Sequence, residues 1–334
     1  IDIAKYTNED SFAGLVESEL MATDIPDLDL YHPHEITPEE AITFCLEAEK
    51  SAFETDSKIT NSDGASLSSY QGFKVYGNSH GFIEGYPSSR HSLSCSVIAE
   101  SGDEMQRDYA YTVDRIFQNM EAATTVGSKA AKAALERLDA KKLDTCQVPV
   151  LFHAEVASTL FGHLVSAISG GSLYRNSSFL MDSIDTQILP EFLTIEERPH
   201  VLQGLASSPF DSEGVVTVDR NIIEAGVLTT YLLTGYSARK MGLKTTGHAG
   251  GIHNWYISQT DPDLAAMLKK MDKGLLVTEL MGQGVNTVTG DYSRGAAGFW
   301  VENGEIQYPV SEVTIAGNLA NMFKQIVAIG GDVE

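Results

Sequence analysis

The sequence predicts an α+β protein in which N-terminal helices accompany an antiparallel meander and a strand-rich C-terminal domain follows. Three observations predict this fold class: a helical period near residue 40, short apolar segments between turns over 61–114, and hairpin patterns after residue 170. The 334 residues are enough for about two domains. We expect 1–150 to be the remainder of an N-terminal α+β domain whose start is missing, and 151–334 to be the strand-rich domain without its last tail.

The first helix is predicted at "TPEEAITFCLEAEKSAF", residues 37–53. Thr37 can cap this helix, Pro38 suits its first turn, and Glu40 completes a capping box. We expect Cys45 to be a core thiol. The apolar side chains at helical spacing, which are expected on the buried face, are Ile42, Cys45, Leu46, Ala52 and Phe53.

The middle of the chain predicts a meander, two helices and a strand. Residues 61–114 contain the turn signals "NSDG", "YGNSHG" and "GYPSS" between short apolar segments, a pattern typical of antiparallel strands. The alanine-rich stretch 120–138 predicts a helix. "QVPVLF" (147–152) is expected to be a buried strand, and "AEVASTLFGHLVSAIS" (154–169) a mostly apolar helix.

The C-terminal part is expected to consist mostly of strands and turns. "GVVTVDRNIIEAGVLTTYLLT" (214–234) predicts a hairpin that turns near residues 225–226. "GFWVENGEIQYPV" (298–310) predicts a second hairpin, in which Asn303 and Gly304 form a type I′ turn.

The composition restricts the classes of partner. Lys and Arg number 23 and Asp and Glu number 46, so the formal net charge is −23. Such a surface repels nucleic-acid phosphates and anionic lipids, so we expect neither nucleic-acid nor membrane partners, while a flexible peptide is tolerated. The sequence has no apolar run of about 18 residues and only three cysteines, without a C-x-x-C motif. This composition favours a cytoplasmic protein with structural thiols.

The strongest metal-ligand candidates from spacing alone are His153, Glu155 and His163, on or near the helix 154–169. A zinc-peptidase helix carries two histidines one turn apart and a glutamate beside them as the base. His153 and His163 are ten residues apart, which is roughly 15 Å along a straight helix. They are therefore weak catalytic candidates, and Glu155 is more simply explained as a residue that stabilises the helix start.

Two glycine-rich stretches and one acidic turn are further candidates. His248 and His253 flank two adjacent glycines in "TGHAGGIHNW", and they can bind a metal only with ligands from elsewhere. "GQGVNTVTGDYSRGAAGFW" contains Asp291 and Arg294, which can pair or contact a ligand, and its glycines suit strand addition by a peptide. "PFDSEGV" (209–215) holds two acids that could bind a cation, although a solvated turn is the simpler interpretation.

Taken together, four stretches resemble the TldD/PmbA family of bacterial metallopeptidase-related proteins, and within it the PmbA (TldE) branch. They are residues 160–180, 209–215, 236–255 and 278–319, and the resemblance extends over nearly the whole chain. The resemblance implies a two-domain α+β fold and a cytoplasmic protein that works in a dimer. It also implies that TldD-type chains bind the catalytic zinc through an H-E-x-x-x-H helix and a later cysteine. PmbA-type chains pair with them, and the complex acts on unfolded peptides, including peptide-antibiotic precursors and antitoxins.

This sequence departs from the TldD pattern. H-E-x-x-x-H is absent, only His163 on the matching helix could correspond to a ligand, and Cys146 precedes that helix. We therefore expect no metal in this chain, zinc in a TldD-type partner, and either a heterodimer with that partner or a homodimer. The residues expected to face the peptide or the partner are His248, Gly250, Gly251, His253, Asp291 and Arg294.

Two alternative functions remain open at this point. One is an independent metallopeptidase in which the scattered histidines and Glu155 converge through folding. The other is a non-enzymatic peptide-binding or regulatory homodimer, which requires the same glycine-rich surface.

Overall fold

The structure, a computed structural model, describes residues 3–6 and 8–332, and it confirms the α+β fold class. The α-helices are α1 (Pro38–Thr55), α2 (Ala123–Glu136), α3 (Ala154–Ile168), α4 (Gly170–Leu173), α5 (Gly235–Met241), α6 (Leu264–Met271) and α7 (Leu319–Lys324), and short 3-10 turns lie at Ile3–Tyr6, Ser18–Leu20 and Phe117–Asn119. The strands are β1 (Ile59–Gly77), β2 (Ile83–Ser101), β3 (Glu104–Asp114), β4 (Val150–Phe152), β5 (Ile195–Arg198), β6 (Arg220–Glu224), β7 (Val227–Leu228), β8 (Asn254–Ile257), β9 (Gly274–Met281), β10 (Asp291–Glu302) and β11 (Glu305–Asn318). Within the residues described, none of the helices combines the length and apolar character that a membrane crossing requires.

The N-terminal unit is the predicted meander β1–β2–β3 with α1 and α2 packed on it. α1 begins at the predicted capping box: the Glu40 backbone N–H donates to Thr37 Oγ1 at 3.2 Å, and the Thr37 N–H donates to the Glu40 carboxylate at 2.9 Å. The two helices approach so closely that a Cβ at Gly127 would lie 1.9 Å from the Ala48 carbonyl oxygen. Cys45 is half-buried against the core beneath them.

The prediction that the large apolar side chains of α1 are buried is wrong. Ile42, Leu46 and Phe53 are 57%, 58% and 42% exposed, whereas Ala48 and Ala52 are fully buried. The close approach of the two helices explains the difference, because only small side chains fit between backbones in near contact. The helical period locates a stripe of apolar residues but does not reveal that the neighbouring helix accepts alanine alone.

The first C-terminal sheet has the strand order β11-β10-β9-β4, in which β4 is parallel to β9 and the other pairs are antiparallel. The predicted type I′ turn between β10 and β11 is confirmed, since Asn303 and Gly304 have φ values of 55° and 71°. The predicted strand 147–152 is shorter than expected and lies at the sheet edge, where Val150 is 37% exposed.

The second C-terminal sheet is short and has the order β7-β6-β5-β8. The turn at 225–226 is confirmed by φ values of 46° and 80° at Ala225 and Gly226. Strand structure covers only part of the predicted hairpin 214–234, because residues 215 and 216 form isolated bridges instead of a ladder.

The main hydrophobic core lies around α3 and joins this second sheet to α7. Its buried side chains include Leu164 and Ile168 from α3, Ile195 from β5 and Phe323 from α7. β5 alternates buried and partly exposed residues, so Glu197 lies in phase with Ile195 on the buried face. This alternation directs a carboxylate into the interior.

Candidate functional site

The three candidates near α3 do not form a common site. His153 is the N-cap residue and its backbone N–H donates to the Val277 carbonyl at 2.9 Å, while Glu155 is an exposed residue of the first turn. A carboxylate there stabilises the helix start, as the spacing suggests. His163 lies more than two turns further along α3, next to β10. The geometry required of a metal-binding helix is therefore missing from these three residues.

His163 and Arg294, two separately predicted residues, are brought together around Tyr292. The His163 and Tyr292 rings meet edge-on with centroids 5.9 Å apart, and Tyr292 and Arg294 alternate onto one face of β10. Three buried atoms here, His163 Nε2, Tyr292 Oη and Arg294 Nε, make no hydrogen bond within the described structure. Burial, together with the Arg294 charge, lowers the pKa of His163, so its ring is held neutral. Sequence reasoning missed Tyr292, although its spacing of two from Arg294 was a usable signal.

Asp291 and Arg294 do not pair in the described structure. Asp291 is exposed and accepts hydrogen bonds from Thr289 Oγ1 at 2.7 Å and Asn318 Nδ2 at 3.2 Å, which hold the pKa of its carboxyl below the ordinary value. Arg294 donates through Nη2 to the Leu280 carbonyl at 3.3 Å. Asp291 thus lies at the surface, and Arg294 is half-buried.

Several glycines of the stretch 282–298 are required by the chain's own packing. A Cβ at Gly284 would lie 1.8 Å from the Ser293 carbonyl oxygen, and one at Gly298 would lie 1.9 Å from that of Leu276. Their close approach is to neighbouring backbone within this chain, at a register shift in the case of Gly298. These two glycines need no external peptide to explain them.

Asp211 anchors the histidine-containing loop 246–253. Its carboxylate is 3% exposed and accepts three backbone N–H bonds: from Glu213 at 2.8 Å, Val215 at 2.9 Å and Ala249 at 3.0 Å. Burial raises the pKa of Asp211, and the three N–H groups counteract that rise. The acidic stretch "PFDSEGV" is thus a turn, the simpler of the two interpretations of the sequence. Its Asp211 carboxylate is buried instead of solvated and positions the loop.

The loop places its two histidines inward and its glycines outward. His248 and His253 are 5% and 7% exposed, whereas Gly250 and Gly251 are exposed and have φ values of 112° and 125° that favour glycine. In this chain the histidine rings thus lie in the interior. A peptide or partner at this loop would meet Gly250 and Gly251 first.

Both histidines converge on Glu197 of β5. His248 Nε2 lies 2.8 Å from Glu197 Oε2, and His253 Nδ1 lies 3.4 Å from Oε1. The His253 backbone N–H donates to Oε1 at 2.9 Å, and Trp255 Nε1 donates to the same oxygen at 3.3 Å. Burial alone would raise the pKa of Glu197, but the contacts with His248 and His253 hold it far below its ordinary value. The 1% exposed carboxylate is therefore ionised.

Thr246 holds the His248 ring from the side opposite Glu197. The Thr246 hydroxyl accepts from the Leu233 N–H at 2.7 Å, and it lies 3.1 Å from the Tyr231 carbonyl oxygen and 2.8 Å from His248 Nδ1. His248 Nε2 donates to the ionised Glu197, so this ring nitrogen carries a hydrogen. The result is a buried histidine–carboxylate pair in which hydrogen-bonding groups hold both nitrogens of the His248 ring.

This cluster is the one metal-compatible group within residues 3–6 and 8–332. Glu197, His248 and His253 each offer one ligand atom, and these atoms lie within 4.8 Å of one another. Sequence reasoning identified both histidines but missed Glu197, which lies about fifty residues earlier in "TIEERPH". The available signal was an acidic residue in phase with a buried strand position, Ile195.

Comparisons with known proteins identify the family. Two profiles match: the PmbA/TldA metallopeptidase central domain over residues 31–138 and its C-terminal domain over 145–334. The chain is 59% identical to Metalloprotease PmbA of Escherichia coli O157:H7 over 334 residues, which is 100% of this chain and 74% of that protein.

Two solved structures have the same fold. A putative modulator of DNA gyrase from Bacteroides thetaiotaomicron superposes with a TM-score of 0.93 at 29% identity, covering 99% of this chain and 76% of the other. TldE from Thermococcus kodakarensis superposes with a TM-score of 0.80 at 21% identity, covering 98% and 76%, and this likeness supports the fold alone. The profile matches and the 59% identity decide the assignment: this chain belongs to the PmbA/TldE branch of the PmbA/TldD metallopeptidase family.

Proposed function

We propose that this chain is the PmbA-type subunit of a cytoplasmic metalloprotease complex in which a TldD-type chain supplies the catalytic zinc. The complex acts on unfolded peptides, with peptide-antibiotic precursors and antitoxins as the substrate classes expected from the resemblance. The observation that supports this most is the separation of His153, Glu155 and His163 along α3, the helix that corresponds to the TldD metal helix.

Metal-assisted hydrolysis requires an ion with an open coordination position and a base beside it. On α3, Glu155 is exposed in the first turn, and His163 packs edge-on against Tyr292. Burial and the nearby Arg294 keep His163 uncharged, but an uncharged imidazole without neighbouring ligands does not hold zinc. A catalytic ion supplied by another chain resolves this mismatch between the family's chemistry and the residues of this helix.

The role left to this chain is to hold the peptide and complete the site. Exposed Gly250 and Gly251 allow a peptide backbone to approach, and exposed Asp291 offers a carboxylate to an N–H or a cationic side chain. The half-buried Arg294 carries a positive charge near this surface, which attracts a peptide carboxylate.

The test compares cleavage of an unfolded peptide by this chain, by a TldD-type chain and by their mixture, each with and without chelator. We expect only the mixture to cleave, and chelator to stop it. In the mixture, Glu155→Gln in this chain should leave the rate within about two-fold, because Glu155 lies exposed in the first turn of α3, more than two turns from His163. Chelator-sensitive cleavage by this chain alone would support the independent metallopeptidase, and peptide binding without cleavage by any combination would support the non-enzymatic module.

A further inference from the structure

We infer that Glu197, His248 and His253 bind one divalent metal ion of the zinc class in this chain, at a site that fastens the loop 246–253 to β5. Two imidazoles and one carboxylate form a ligand set that zinc accepts, and the three ligand atoms already lie within 4.8 Å of one another. The three residues are 1%, 5% and 7% exposed, so they form a built interior cluster and not a collection of surface acids. Such a site differs from the metal-free chain that the sequence predicts, because the sequence does not reveal that Glu197 joins the two histidines.

An unpartnered nitrogen points to a ligand. His253 Nδ1 is buried and makes no hydrogen bond in the described structure, although it faces Glu197 Oε1 at 3.4 Å. Buried polar side-chain atoms almost always have a partner, and an unexplained one calls for a water or an ion. A metal ion between the two residues would use the Nδ1 lone pair and the carboxylate together.

The distances suit such an ion. Zinc bonds of about 2.0–2.1 Å in a tetrahedral arrangement place neighbouring ligand atoms roughly 3.3 Å apart. The separation of His253 Nδ1 from Glu197 Oε1, 3.4 Å, already has this value. His248 Nε2 is closer to Oε2, at 2.8 Å, because a proton lies between them. A bound ion would take the place of that Nε2 hydrogen, and a shift of the imidazole by about half an ångström would give the tetrahedral spacing.

Two neighbours of the cluster affect metal binding in opposite directions: Thr246 orients the ligand His248, and the charge of Arg220 opposes the ion. Thr246 holds His248 through Nδ1 at 2.8 Å, the outer hydrogen bond that orients metal-binding histidines, so that Nε2 faces Glu197. Glu197 also contributes to the lining of a surface cleft with Asp219 and Arg220. Arg220 Nε, however, lies 3.8 Å from Glu197 Oε2, and its charge weakens binding of a cation.

The cluster suits fastening of the loop better than hydrolysis, because its three ligands are at most 7% exposed and leave little room for a substrate. Hydrolysis requires a free carboxylate or imidazole beside the ion as base. Glu196, the next residue on β5, lies on the opposite face of the strand and pairs with Arg198. The inference therefore does not rest on the proposed function and stands whichever subunit performs peptide cleavage.

The experiment titrates the metal-free full chain with Co²⁺ and Zn²⁺. We expect one equivalent of ion per chain, Co²⁺ absorption of a tetrahedral nitrogen–oxygen site, and quenching of Trp255, whose Nε1 lies 3.3 Å from Glu197 Oε1. Trp255→Phe should remove the fluorescence change and keep the absorption. Glu197→Gln and Thr246→Val should each weaken binding by at least about 10-fold.

Two further variants separate the site from other histidines and from loss of fold. His200 is half-buried, bonds Thr217 Oγ1 at 3.0 Å and lies outside the cluster, so His200→Asn should bind as the parent does. Arg220→Gln keeps all three ligands and should bind at least about three-fold tighter, because an opposing charge is removed. The inference is overturned if the parent binds less than about 0.1 equivalent, if Glu197→Gln folds and binds equally well, or if Arg220→Gln weakens binding.

Discussion

The substitution Asp211→Asn removes a single hydrogen-bond acceptor from beneath the loop 246–253. Oδ1 accepts from the Glu213 and Val215 N–H groups, while Oδ2 accepts from Ala249 at 3.0 Å. An asparagine whose oxygen takes the place of Oδ1 keeps the first two bonds but places its NH₂ against the Ala249 N–H. In the flipped orientation the NH₂ takes the place of Oδ1, and two bonds are lost instead of one. An unsatisfied buried donor costs about 1–3 kcal/mol. The neutral amide avoids the cost of burying a charge, the same burial that raises the pKa of Asp211. This gain offsets part of the lost hydrogen bond, so we expect the free energy of unfolding to fall by about 1–2 kcal/mol.

Urea unfolding measures this loss, and amide hydrogen exchange at Ala249 locates it. The matched control is Asp291→Asn, since Asp291 is exposed and, among the residues that the structure describes, its carboxylate accepts from the side chains of Thr289 and Asn318. The control should change the free energy of unfolding by no more than about 0.5 kcal/mol. If Asp211→Asn is no more destabilising than Asp291→Asn, or if Ala249 exchange is unchanged, the anchoring role of Asp211 is refuted.

Three further predictions concern the rest of the fold. Gly127→Ala should lower the free energy of unfolding by about 1–3 kcal/mol, because its Cβ is forced against the Ala48 carbonyl. Gly162→Ala on α3, where a Cβ meets open space, should raise it by about 0.5–1 kcal/mol. Equal effects of the two substitutions in thermal unfolding would contradict the close helix contact. Thr37→Ala should lose about 1 kcal/mol through the capping box, and an unchanged urea midpoint would speak against that contribution. The lowered pKa of His163 means that the unfolded chain binds more protons below about pH 6.5. The parent should therefore lose more stability than His163→Gln between pH 7.5 and 5.5, and parallel losses in urea titrations would exclude His163 as the cause.

Features encoded by adjacent residues could be predicted from sequence. The capping box depends on Thr37 and Glu40, which are three residues apart, and the type I′ turn on the neighbours Asn303 and Gly304. Each pattern contains both interacting partners, so its physical cause is local. The α+β class followed in the same way from periods read over short segments.

Features that depend on distant contacts were missed. The buried face of α1 is decided by the approach of α2 at Gly127, which the helical period of α1 does not contain. The cluster at His248 and His253 required Glu197, some fifty residues earlier, and Asp211, whose carboxylate holds the loop in place. Fold topology brings these residues together, and a single sequence offered only the in-phase position of Glu197 on a buried strand as a signal.

The proposed division of labour between two chains is tested most directly by cross-reconstitution. A zinc-loaded TldD-type chain is mixed with this chain in metal-free form, and separately a metal-free TldD-type chain is mixed with this chain preloaded with zinc. Cleavage of an unfolded peptide is measured before metal can exchange. Cleavage only in the first mixture is the predicted result, because the hydrolytic ion belongs to the partner. Cleavage only in the second mixture would contradict the proposal and place the hydrolytic metal in this chain.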